Sequence, residues 1–141
     1  PDCDLVALGV SAIGRIGPTY SQNAKTLDDY YDALRRNTLP VVRGLALTRD
    51  DLVRRAVIMS IMCHGRLSYE SVALAHLIDV KSYFAAELES LQDHADAGLL
   101  TMDADGFELT ALGWYFVRYI AMAFDRYVRA DRTRERFSRV I

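Results

Sequence analysis

The chain has 141 residues, 51% of them hydrophobic and 26% charged, with a net charge of −2 at pH 7. That suits one domain with a real core, and a whole-chain charge this small gives no nucleic-acid or membrane-surface signal. No apolar run approaches the ~18 residues of a membrane span, and the apolar start at Leu5 lacks the basic flank of a secretory leader.

Residues 5–10 read as a buried strand delivered into a loop over 11–25, which holds Gly14, Gly17 and Pro18. A buried strand must satisfy its N–H and C=O groups against neighbours, and no partner is evident before Leu99. The chain also starts at Pro1 rather than at Met. The expectation is therefore a piece taken from the end of a larger α/β protein. Thr26 predicts an N-cap for a helix from Leu27 to about Arg36, with Leu27, Tyr30, Tyr31 and Leu34 at helical spacing. Residues 37–47 read as an extended linker.

Thr48-Arg-Asp-Asp51 resembles a capping box with Asp in place of Glu. The helix behind it carries Leu52, Ala56, Met59 and Cys63 on one face, with Val53 and Val57 beside them, and ends at Gly65. Arg66-Leu67 allow a very short strand. Ser68 caps a short helix through Ala75. Asp79 caps the next, whose Val80, Phe84, Leu88, Leu91 and Ala95 form a stripe closed by a C′ glycine, Gly98. Leu99–Asp103 and Phe107–Thr110 flank Ala104-Asp105-Gly106 as a tight hairpin. Thr110 then caps the longest predicted helix, to about Arg136, with Phe116, Val117, Ile120, Phe124, Tyr127 and Val128 as its apolar stripe.

The order of residues 48–110 is that of a winged helix, yet the charges oppose DNA binding. The third helix bears Glu87, Glu89, Asp93 and Asp96 against Lys81, and the wing bears Asp103, Asp105 and Glu108 with no basic residue. DNA affinity needs cations facing phosphates, so no nucleic-acid partner is expected. Arg126, Arg129, Arg132, Arg134, Arg136 and Arg139 crowd the C-terminal end. They are either a solvated face complementing a helix C-terminus or a surface for carboxylates. Cys3 and Cys63 form no disulfide framework, which suits a reducing, cytoplasmic setting. Cys63 reads as a core thiol. His64 beside it lacks the further ligands of a zinc site, which takes about four.

Several of these runs together resemble one family over essentially the whole chain. They are Leu8-Gly-Val-Ser-Ala-Ile13, Tyr20-Ser-Gln-Asn23 with Lys25-Thr26-Leu27, Arg43-Gly44 with Ala46-Leu-Thr-Arg-Asp-Asp51, and Phe137-Ser-Arg-Val-Ile141. The chain is similar to the C-terminal part of bacterial oxygen-independent coproporphyrinogen III oxidases of the radical S-adenosylmethionine superfamily. The resemblance implies heme biosynthesis, with two propionates of coproporphyrinogen III oxidatively decarboxylated to vinyls to give protoporphyrinogen IX. It also implies S-adenosylmethionine and a [4Fe–4S] cluster in the full-length protein. The family's Cys-x₃-Cys-x₂-Cys motif is absent here, so the cluster ligands are absent and no catalytic or metal-binding residue is assigned in this chain. The implied partners are the protein's own N-terminal radical barrel and the porphyrinogen, with no membrane.

The implied architecture is mainly α. Residues 1–36 are the remnant end of an α/β barrel, 37–47 a linker, and 48–141 a winged-helix-like C-terminal domain with a long terminal helix that caps the active site. The resemblance assigns one cofactor contact, Ile13, to the second S-adenosylmethionine. The residues alone leave Ile13 open as a core side chain. Tyr20, Gln22 and Asn23 either line a site or satisfy loop backbone. Arg43 either reaches a propionate or pairs with an acid on the nearby helix. His76 and His94 are expected at the surface, and Tyr115 and Tyr119 beside Trp114 are expected to pack the long helix. Two other readings remain. One is a stand-alone winged-helix interaction module. The other is a non-catalytic paralogue that binds heme.

Overall fold

A computed structural model describes residues 3–131, with side chains to Val128. It is about half helical with small antiparallel sheets, and divides into two compact units, residues 1–52 and 53–141.

The first unit is a three-stranded antiparallel sheet, β1 (Ile13–Ile16), β2 (Thr19–Asn23) and β3 (Val41–Ala46), in the order β1-β2-β3. Helix α1 (Leu27–Arg35) connects β2 to β3. Its start is the expected one, since Thr26 Oγ1 accepts from the Asp29 amide.

The expected strand at 5–10 does not form. Leu5 makes a single bridge, exchanging both backbone bonds with Arg15 at 2.7 and 2.8 Å. Gly9 (φ +105°) and Ser11 (φ +59°) then turn the chain out of extended geometry. The segment 11–25, expected as a loop, holds the β1–β2 hairpin instead. Gly17, with φ +53°, and Pro18 make its two-residue turn. At Gly14 a Cβ would lie 3.0 Å from the Leu5 carbonyl oxygen, so the chain passes close there. Residues 41–46, read as part of a linker, are extended as expected but belong to this sheet.

The second unit opens with most of α2 (Arg49–His64). Its predicted capping box forms within residues 48–51. Thr48 Oγ1 accepts from the Asp51 amide, and the Asp51 carboxylate accepts from the Thr48 amide at 2.8 Å. The buried face of α2 differs from the expected one. Val53, Val57 and Ile61 are fully buried, while Met59 and Cys63 are exposed. Both faces recur at helical spacing, so periodicity marks two stripes, and packing selects the β-branched one.

After Gly65, β4 (Arg66–Ser68) leads into α3 (Tyr69–His76), capped by Ser68. The next predicted helix is broken into α4 (Val80–Tyr83), α5 (Ala85–Ser90) and α6 (Gln92–Asp96), with breaks at Phe84 and Leu91. Its stripe still faces inward, with Val80, Phe84 and Leu91 buried and Leu88 and Ala95 packed on the core. The hairpin β5 (Leu100–Met102) and β6 (Gly106–Leu109) joins β4 in the order β4-β6-β5. The core brings these elements around Phe84, Phe107 and Phe124.

The long terminal helix is not continuous. A 3-10 turn (Gly113–Phe116), α7 (Val117–Ala121), a second 3-10 turn (Met122–Phe124) and α8 (Arg126–Asp131) replace it, and Asp125 is extended at the last break. Thr110 still caps the start, accepting from the Gly113 amide at 3.0 Å. Ile120 and Phe124 are buried, but Phe116 and Tyr127 of the expected stripe are exposed. Arg132, Arg134, Arg136 and Arg139 lie outside the described residues, as does the side chain of Arg129.

Candidate cofactor-contact site

The site residue named from the sequence, Ile13, stands at the start of β1. Its cross-strand partner on β2 is Gln22, and the partner of Gln22 on β3 is Arg43. Directly opposed residues of an antiparallel sheet share a face, so Ile13, Gln22 and Arg43 form one row. Tyr20 and Leu45, also opposed, lie two residues away along β2 and β3 and share that face. With Ser21 and Gly44 these residues line a hollow of about 300 Å³.

The row has graded chemistry. Ile13 is 58% exposed, an open apolar surface rather than a core side chain. Gln22 is half-buried and donates a long bond, 3.4 Å, to the Ser11 carbonyl. Arg43 is exposed, and among the described residues no carboxylate pairs with it. The pairing with an acid on the nearby helix therefore does not form. Arg15, by alternation on the same face, is already committed. It is buried, and its guanidinium donates to the carbonyls of Cys3 (2.6 Å) and Gly17 (3.4 Å).

The polar trio of the sequence divides. Asn23 is buried and serves backbone, its amide donating to the carbonyls of Gly9 (2.9 Å) and Ala7 (3.3 Å). Tyr20 and Gln22 line the hollow. Leu45 was missed because the hairpin was read as loop, and strand alternation finds it once β2 and β3 are paired; Ser21 and Gly44 lie between the face residues and border the hollow.

Other expectations fare differently. His94 is half-buried rather than superficial, with Nδ1 3.1 Å from the Ser90 carbonyl and its ring 5.3 Å from that of Tyr119. His76 is also half-buried. Tyr115 is 87% exposed and stands in a 3-10 turn rather than on the expected helix. Trp114 lies over Gly65, where a Cβ would sit 2.5 Å from the indole.

A larger hollow of about 460 Å³ lies in the second unit beside the wing. His64, Arg66, Asp103, Asp105 and Glu108 line it, a mixture of signs that selects no single ligand charge. Next to it the Tyr69 phenol is pushed above its ordinary value of 10.0, mainly by burial and secondly by Asp103.

The residues do not fit an iron–sulfur cluster. Clusters are held by several thiolates. Cys3 and Cys63 are both exposed and lie in different units. Among the described residues no group of three His, Cys, Asp or Glu side chains is placed to hold a metal ion. No helix among them is long and apolar enough to cross a membrane.

Comparison with known proteins places this chain. It is 47% identical over 139 residues to the oxygen-independent coproporphyrinogen III oxidase of Pseudomonas aeruginosa, covering 99% of this chain and 30% of that protein. It is 42% identical over 140 residues to that of Escherichia coli K12, covering 99% of this chain and 31% of the relative. A solved structure described as coproporphyrinogen III oxidase (HemN) from Escherichia coli, a radical SAM enzyme, superposes with a TM-score of 0.86 at 42% identity. It covers 89% of this chain and 29% of that one. The chain thus spans under a third of the length of these relatives. Residues 47–116 match the model of the HemN C-terminal domain.

Proposed function

We propose that this chain is the C-terminal part of an oxygen-independent coproporphyrinogen III oxidase, a cytoplasmic heme-biosynthesis oxidoreductase. The longer protein would convert two propionates of coproporphyrinogen III to vinyls by radical S-adenosylmethionine chemistry. The observation that carries this is the 47% identity to such an enzyme across 99% of the chain. The cluster belongs to residues outside this chain, since the two thiols here do not fit one.

In this reading the first unit contributes one wall of the cofactor site. Ile13 presents an open apolar surface to the second S-adenosylmethionine, and Leu45 extends it. The bound cofactor supplies hydrogen-abstraction chemistry, and apolar walls keep water from a reactive intermediate. Residues 1–36, together with the β3 strand that pairs with them, would be continuous with the catalytic layer, and 48–141 the cap. The exposed Leu5, Val6 and Leu8 suit a segment that further protein covers. The order α2, β4, α3, α4 to α6, β5, β6 supports a winged-helix-like reading of the cap.

The test is anaerobic assay of the complete gene product with coproporphyrinogen III, S-adenosylmethionine and a reductant. Formation of protoporphyrinogen IX, with S-adenosylmethionine binding weakened by Ile13→Ala, is the expected result. A gene product that binds neither ligand would overturn the reading.

A further inference from the structure

We infer that Arg43 is a carboxylate anchor, held at one end of the Ile13–Gln22–Arg43 row to fix the acidic end of a ligand whose apolar part lies on Ile13. The inference rests on the proposed function for the identity of the ligand, and on geometry for everything else.

The sheet register puts the three side chains on one face in consecutive cross-strand pairs. Neighbouring strands are ~4.8 Å apart, so the row runs about 10 Å from an apolar end to a cationic end. That length suits an amphipathic molecule with an acid a few bonds from its apolar body. The two cations of this face have different employment. Arg15 is buried and spends its donors on the Cys3 and Gly17 carbonyls. Arg43 is exposed, borders the hollow, and has no carboxylate partner among the described residues. A guanidinium fork matches a carboxylate with two parallel bonds, which an ammonium does not reproduce. The Gln22 amide, between Ile13 and Arg43, supplies a further polar contact along the ligand.

Two ligands of the proposed reaction carry such an acid: the amino-acid end of S-adenosylmethionine and the propionates of the porphyrinogen. The chemistry is shared, and binding experiments separate the sources. In the complete gene product, dissociation constants are measured for S-adenosylmethionine, decarboxylated S-adenosylmethionine and coproporphyrin III, with Arg43→Gln and Arg43→Lys beside the parent. Loss of a charged hydrogen-bonded contact weakens binding about 10- to 100-fold. If Arg43 holds the cofactor, Arg43→Gln weakens S-adenosylmethionine by that factor and leaves the decarboxylated form unchanged. If it holds a propionate, coproporphyrin III alone weakens. In either case Arg43→Lys recovers only part of the affinity. Equal binding of both acids by parent and Arg43→Gln overturns the anchor while the proposed function stands. A parent that binds none of them overturns the proposed function itself.

Discussion

The pair Arg54–Glu87 gives the sharpest test of how the second unit is held. Arg54 Nη1 donates to Glu87 Oε1 at 2.9 Å and to the Phe124 carbonyl at 3.2 Å, and its guanidinium lies 5.3 Å from the centre of the Phe84 ring. The side chains are 16% and 7% exposed, so both charges are largely desolvated and their pairing offsets part of that cost. Replacing Glu87 by Leu removes the opposite charge from a largely buried guanidinium and is expected to cost about 3–5 kcal/mol. Arg54→Leu removes the cation beside the buried carboxylate and also takes a donor from the Phe124 carbonyl, so it costs at least as much. The double variant removes both charges and keeps an apolar filling. Its loss should be only about 1–3 kcal/mol, from the carbonyl and the ring contact. The pair therefore couples by at least about 3 kcal/mol in a double-mutant cycle. Urea unfolding at constant m-value measures this, and each single variant should also lower Tm by roughly 10–20 °C. A Glu87→Leu loss under about 1 kcal/mol, or a double variant equal to the sum of the singles, would refute the argument.

The wing and the turn after it require glycine for space. A Cβ at Gly106 would lie 1.9 Å from the Leu67 carbonyl oxygen, and one at Gly113 would lie 1.8 Å from that of Leu99. Both atoms are backbone, so Gly106→Ala and Gly113→Ala should each lose about 3 kcal/mol or more, read by thermal unfolding. Thr48→Ala removes the oxygen that accepts from the Asp51 amide and should destabilise by about 1 kcal/mol. For Tyr69 the sign follows from its raised pKa. The unfolded phenol loses its proton from about pH 10 while the folded one keeps it, so stability falls as pH rises above that value. Tyr69→Phe should flatten this alkaline limb in a pH series of unfolding curves. An unchanged slope would mean that Tyr69 does not carry it.

Local chemistry was legible wherever a signal is short. Thr26, Thr48, Ser68 and Thr110 all cap as their hydroxyls predict, because a cap bond spans three residues. Asp105-Gly106 marked the hairpin, and the stripe from Val80 to Ala95 marked the core even though the helix beneath it breaks. The family resemblance, carried by runs such as Arg43-Gly44 and Ala46–Asp51, was likewise written in the residues.

Tertiary structure decided what depends on distant partners. Thr19–Asn23 is polar and beside a Gly-Pro turn, so it reads as loop; its ladder bonds come from β1 before it and from β3 across α1. The apolar run 5–10 reads as strand, yet a strand exists only where another strand's backbone meets it, and here that pairing happens at Leu5 alone, the Gly9 amide donating instead to the Tyr30 hydroxyl. Helix α2 offered two stripes of equal period, and only the packed core could choose Val53, Val57 and Ile61 over Met59 and Cys63. The Ile13–Gln22–Arg43 row belongs to the same class. Its members are nine and twenty-one residues apart in sequence, and the register of three strands alone makes them neighbours.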